Sequence, residues 1–131
     1  MPASRIDTLA RVGFVLFAIV LVAATHWPNL RVESGIPRTD LWAHFSAYFL
    51  WTSLLLSTGW LGPRFSWRAL GLGVPMAILY AGIDELSQGI PGLGRTVAWS
   101  DFAANCVGVE LAALVWIGPT LVKARREARR P

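Results

Sequence analysis

The chain has little charge and almost no cysteine. Only 15% of its 131 residues are Asp, Glu, Lys or Arg, against about 25% in soluble domains. That deficit argues against a soluble globular domain, and also against a disordered or acidic-tail protein. The single cysteine, Cys106, excludes an intrachain disulfide framework and any cysteine-based zinc cluster. Local catalytic signatures are missing as well: there is no HExxH, no nucleophile elbow and no phosphate-binding glycine loop. No internal repeat or low-complexity tract is visible apart from a basic C-terminal tail.

Apolar sequence makes up 54% of the chain. A helix needs about 20 apolar residues to cross hydrocarbon, so four crossings use about 80 residues and leave only short loops. Four such runs are present, at about 12–27, 41–61, 69–90 and 102–122, followed by a basic tail at 123–131. Gly62-Pro63 and Pro91-Gly92-Leu93-Gly94 break the chain between runs two and three and between three and four. The pattern predicts one all-α domain over 1–131, an integral membrane four-helix bundle.

The placement of Lys and Arg sets the orientation. With both termini in the cytoplasm, Arg5, Arg11, Arg64, Arg68, Lys123, Arg125, Arg126, Arg129 and Arg130 lie inside, nine of the twelve basic residues. Arg31, Arg38 and Arg95 lie outside. The net charge of +4 and a pI near 10.2 would suit nucleic acid, but these residues flank apolar runs and no aromatic interleaving or DNA-binding motif accompanies them. Nucleic acid is therefore not an expected partner, and the tail reads as an anchor on anionic lipid. Run one also fits a cleaved signal peptide, with basic residues before it, a short apolar core and Ala23-Ala24 at its end.

The remaining polar residues form a pattern. Run two opens with Asp40, His44 and Tyr48; run three ends with Tyr80, Asp84, Glu85 and Gln88; run four opens with Asp101 and Asn105. Residues four apart share a helix face, so these make three stripes. Helical rise puts His44, Asp84 and Asn105 at a similar depth, about 6–8 Å below the outer rim. A charged side chain costs roughly 2.5–3.5 kcal/mol at the centre of a membrane helix and less near the interface. Stripes at one depth are better buried against each other than in lipid. The plainer reading makes Asp40 or Thr39, and Asp101 or Ser100, into helix N-caps. Capping does not explain Asp84 and Glu85, which stand near a helix C-terminus where the macrodipole disfavours anions by roughly 0.3–1 kcal/mol. They call for a cation, a proton or an arginine, and Arg95 in the next loop is the candidate. A row of small residues, Ala104, Gly108 and Ala112, reads as ordinary helix packing. Glu110 lies about 14 Å below Asp101 and roughly opposite it around the helix, so it falls outside the layer and is either protonated or set against run one or another subunit.

At these residues the chain resembles the VanZ-like family of small bacterial membrane proteins. The resemblance rests on DLWAHFSAYFL (Asp40 to Leu50), LYAGIDELSQGIPG (Leu79 to Gly92) and RTVAWSDFAANCVG (Arg95 to Gly108), and spans about Asp40 to Leu114. It carries the family pattern onto Asp40, His44, Tyr48, Tyr80, Asp84, Glu85, Gln88, Arg95, Asp101 and Asn105. The chain departs from that pattern at Leu41, where members often have Lys, at Leu93-Gly94, which stretch a Pro-Gly-Arg turn, and at Glu110. The family is named for an association with resistance to teicoplanin, a glycopeptide antibiotic acting at the cell envelope. The resemblance implies a role in the envelope and a place in the bacterial cytoplasmic membrane, and supplies no reaction.

Three functions fit these residues. The preferred one is a non-enzymatic protein whose outward polar layer, with Arg95 contacting phosphate, binds an anionic or lipid-linked envelope component; a cation or a partner protein would be other occupants. The second is an intramembrane enzyme on a lipid-linked substrate, with His44 as base or metal ligand and Asp84 or Glu85 as acid or second ligand. The third is an ion or proton transporter working as a homo-oligomer, against which stands the lack of a second polar layer. Membrane lipids are the expected surroundings, and no cofactor is expected; a metal ion at His44 has no motif behind it.

Overall fold

The computed structural model describes residues 5–28 and 37–129. Arg31 and Arg130, both counted in the orientation, lie outside the described residues. Four helices follow one another: α1 (Arg5–Thr25), α2 (Thr39–Ser57), α3 (Trp67–Gln88) and α4 (Trp99–Ala128). Each expected run falls on one helix, and no strand occurs among the described residues. α1, α3 and α4 outlast the apolar runs at the tail end of the bundle, whereas α2 stops at Ser57, short of the expected residue 61. α1 begins at Arg5 rather than near residue 12, and α4 continues to Ala128 through most of the expected tail. Hydropathy marks where hydrocarbon ends, whereas the i to i−4 hydrogen bonds of a helix continue into the interface.

α1, α3 and α4 are each long and apolar enough to cross a membrane. At about 1.5 Å per residue, α1 alone matches a hydrocarbon core of about 30 Å. α2 carries Asp40, His44, Ser46, Tyr48, Thr52, Ser53 and Ser57 along it, is not among those three, and occupies the middle of the bundle. It packs on all three other helices, most extensively on α4. Tyr48, Trp51, Thr52, Leu55 and Leu56 are buried there. α1 packs on α2 and, more lightly, on α3, but not on α4. Its other face is apolar and uncovered, with Leu9 72% and Ile19 62% exposed. In water such a face would be an association surface; in hydrocarbon it needs no cover.

The expected N-caps are not made. α2 starts after Arg38, in the left-handed region at φ 56°, and α4 starts after Ala98; neither residue caps its helix through a side chain. Thr39, Asp40, Ser100 and Asp101 all lie inside the first turn instead. α4 is served from another helix, because Glu85 Oε1 accepts from the Ala98 backbone N–H at 2.7 Å. Glu110 is exposed on α4. The reading that set it against the first helix is corrected, since α1 and α4 do not pack together.

The α2–α4 contact depends on Gly108. A Cβ built there would run into the Phe45 carbonyl oxygen and come within 2.9 Å of Phe49 N. These are backbone atoms and cannot rotate aside. Gly71 on α3 has nothing within 4 Å of its Cβ position. Gly108→Ala is therefore expected to destabilise the bundle by about 3 kcal/mol. Gly71→Ala is expected to be neutral or stabilising by up to about 1 kcal/mol. Thermal unfolding in detergent, followed by circular dichroism, distinguishes the two; equal effects would contradict the close α2–α4 approach.

Candidate functional site

The connections place the end of α1, the start of α2, the end of α3 and the start of α4 at one end of the bundle. Two hydrogen-bonded groups meet there. The first is built on Asp84, 2% exposed. Its Oδ1 accepts from Thr25 Oγ1 at 2.9 Å and its Oδ2 from Gln88 Nε2 at 3.4 Å. Gln88 in turn accepts from Arg95 Nε through Oε1 at 2.9 Å. His26 Nδ1 stands 4.0 Å from Asp84 Oδ1 and its Nε2 lies 2.8 Å from Ser87 Oγ. Ser87 donates to the Asp84 carbonyl oxygen at 2.6 Å. Asp84 thus links α1, α3 and the α3–α4 loop.

The second group joins α2 to α4. His44 Nδ1 donates to Asn105 Oδ1 at 3.1 Å, and His44 Nε2 faces Asp101 Oδ2 at 3.6 Å. Glu85 lies between the two groups, within electrostatic reach of Asp84, Asp101 and His44. Beneath them is an aromatic floor. Tyr80 stacks on Trp51 with centroids 4.8 Å apart and planes 7° apart, and Phe14 packs on the other side at 5.2 Å.

A cleft of about 110 Å³ opens beside these groups, lined by Leu21, Ala24, Thr25, Ala43, His44, Ala47, Tyr48 and Arg95. Its lining is mostly apolar, with Thr25, His44, Tyr48 and Arg95 as the polar residues. No carboxylate lines it. The acids stand behind the lining and orient it: Asp84 holds Thr25 directly and Arg95 through Gln88, while Asp101 and Asn105 hold His44. Three buried polar atoms of the layer lack a hydrogen-bond partner among the described residues: Tyr48 Oη, Glu85 Oε2 and Asn105 Nδ2. Leaving such a group unmet costs about 1–3 kcal/mol, and buried atoms of this kind are ordinarily satisfied.

Of the ten residues singled out in the sequence, eight belong to this assembly or touch it: His44, Tyr48, Asp84, Glu85, Gln88, Arg95, Asp101 and Asn105. Tyr80 belongs to the floor, where its ring does the packing. Asp40 is exposed in the first turn of α2 and takes no part in the layer's hydrogen bonds among the described residues. Thr25 and His26 were missed. Their signal was position alone, two polar residues ending an apolar run at the same rim as the other stripes. Among the described residues no group of three or more His, Cys, Asp or Glu side chains is arranged to hold a metal ion. No family model matches the chain, and neither a curated protein nor a solved structure does.

The Tyr48 hydroxyl and Asp84 have unequal expected effects on stability. Tyr48 Oη stands near Asp84 without strict hydrogen-bond geometry, so Tyr48→Phe is expected to change stability by less than about 1 kcal/mol. Asp84→Ala strips the acceptor from Thr25 and Gln88 and is expected to lower it by about 2 kcal/mol or more. Thermal unfolding of the detergent-solubilised variants reads both; a Tyr48→Phe destabilised by about 1 kcal/mol or more would mean that its hydroxyl is already satisfied.

Proposed function

We propose that this is a VanZ-like protein of the bacterial cytoplasmic membrane, with both termini cytoplasmic, whose outward cleft binds the anionic head of a lipid-linked envelope component. One observation carries the reading: a cleft at the end of a membrane bundle sets Arg95 on a largely apolar wall, with every nearby carboxylate behind that lining. Arg95 suits phosphate or carboxylate because its guanidinium presents two parallel donors. Leu21, Ala24, Ala43 and Ala47 suit the first carbons of an attached chain. The volume holds a small headgroup and no more, so the chain would run out between α1 and α2 into lipid. The resemblance of Asp40–Leu50, Leu79–Gly92 and Arg95–Gly108 to the VanZ-like pattern supports the envelope assignment.

The same geometry speaks against the other two readings. His44 has an acceptor facing each ring nitrogen, which suits a positioned donor better than a general base. The stacked Trp51–Tyr80 pair and Phe14 close the polar layer from below, which suits a binding site better than a transport path.

The test is to purify the full chain from bacterial membranes in mild detergent and analyse the co-purifying lipids by mass spectrometry. An anionic amphiphile is expected at near-stoichiometric amount, and Arg95→Gln is expected to reduce its retention about tenfold or more. Absence of any enriched anionic amphiphile would overturn the reading. Covalent change of the retained lipid on incubation would replace it with the enzyme.

A further inference from the structure

The opposite end of the bundle carries a second cleft, of about 560 Å³, whose lining includes Arg11, Arg64, Arg68, Lys123 and a single acid, Asp7. Four cations against one anion leave a formal charge of +3 on those residues. They come from four separate parts of the chain: α1, the α2–α3 turn, the first turn of α3 and α4. Their positions are fixed rather than splayed. Arg11 Nε donates to the Thr58 carbonyl oxygen at 3.0 Å, and Arg64 Nε to that of Ser57 at 2.7 Å. Lys123 Nζ donates to the Arg64 carbonyl oxygen at 2.9 Å. Arg64 Nη2 pairs with Asp7 Oδ1 at 2.8 Å. Gly59 and Gly62 form part of the cleft at φ 74° and 142°, conformations that suit glycine. The Arg68 side chain lies over Gly62, 3.4 Å from where a Cβ would stand.

Gathering like charges raises the free energy of the folded chain unless an anion is present. Here most of the anchoring bonds run to backbone carbonyls, and the acid in the lining, Asp7, pairs with Arg64, so the charges are held together and only partly neutralised. Around the cleft, Trp60 is 51% and Trp67 52% exposed, as suits aromatic rings at the level of lipid headgroups. Basic pockets between membrane helices are where phospholipid headgroups bind.

We propose that this cleft is a binding site for the phosphate of an anionic membrane phospholipid. The phosphate sits among Arg11, Arg68 and Lys123, and the acyl chains pass the Trp60–Trp67 rim. The site is independent of the outward cleft, and the proposal stands or falls without it. α4 supplies an internal control, because Arg125, Arg126 and Arg129 lie further along the helix around a separate hollow.

The experiment is native mass spectrometry of the full chain in a non-ionic detergent. It is titrated in parallel with phosphatidylglycerol, with phosphatidylcholine of the same acyl chains, and with inorganic phosphate. Phosphatidylglycerol is expected to be retained preferentially. Each headgroup-facing cation contributes about fivefold, so Arg68→Gln is expected to lower retention about fivefold and the Arg11→Gln/Arg68→Gln pair about 25-fold. Arg126→Gln/Arg129→Gln, the same change in charge outside the cleft, is expected to change it less than about twofold. Arg68 is exposed, so its single variant keeps the test interpretable if the pair misfolds. An equal loss in the tail variant would reduce the effect to diffuse surface charge. Equal retention of phosphatidylcholine, or saturation by inorganic phosphate with no lipid retained, would also overturn the proposal.

Discussion

The structure depends on meeting a buried carboxylate inside a membrane bundle. Asp84 lies near the C-terminal end of α3, where the helix's own dipole opposes it, and it is almost fully covered. No water reaches it in bulk, so its oxygens must find donors on protein. Those donors come from Thr25 at the end of α1 and from Gln88 one turn on. Gln88 brings Arg95 in from the loop. Satisfying one acid therefore fixes the end of α1 against α3 and sets the path of the chain into α4. Glu85 extends the same arrangement by meeting the backbone N–H at Ala98, where α4 begins.

Below that layer the requirements are steric. α2 packs on all three other helices, and it is joined to α4 where Gly108 lets the two backbones approach. Aromatic rings from α1, α2 and α3 then fill the space under the polar groups. The polar end and the basic end are thereby separated by apolar packing. Anions at one end are enclosed behind donors, and cations at the other are held open by bonds to backbone carbonyls. The outer faces of the helices are left apolar, which only a hydrocarbon surrounding makes favourable.

Much of this was legible in the residues. Apolar run length located all four helices, helical rise placed His44, Asp84 and Asn105 at one depth, and four-residue spacing put Gln88 and Asp101 on the same faces. The helix ends were less legible, because hydropathy reports the solvent and not the hydrogen bonding of the backbone; α1 and α4 accordingly extend into polar sequence. Capping was misassigned for a related reason. Asp101 turns toward His44 within the first turn of α4, and the donor at that helix start is met by Glu85 from α3, a tertiary contact that no local pattern encodes. Thr25 and His26 were overlooked because a threonine and a histidine ending an apolar run look like a boundary. Asp40 was included on periodicity and on the family resemblance, yet the first turn of α2 leaves it exposed. If the first helix were removed as a leader after Ala23-Ala24, Thr25 and His26 would lose the helix that positions them, so that helix matters to the site and not only to topology.

The central claim is that Asp84 couples helices that are distant in sequence, and a double-mutant cycle between Thr25→Val and Asp84→Asn tests it most directly. Unfolding free energies of the two single variants and the double variant would be measured in the same detergent. The account expects a coupling energy of about 1 kcal/mol or more between the two positions, within the range for residues sharing a hydrogen-bond network. Effects that add to within about 0.3–0.5 kcal/mol would contradict it, since the two side chains would then be acting independently.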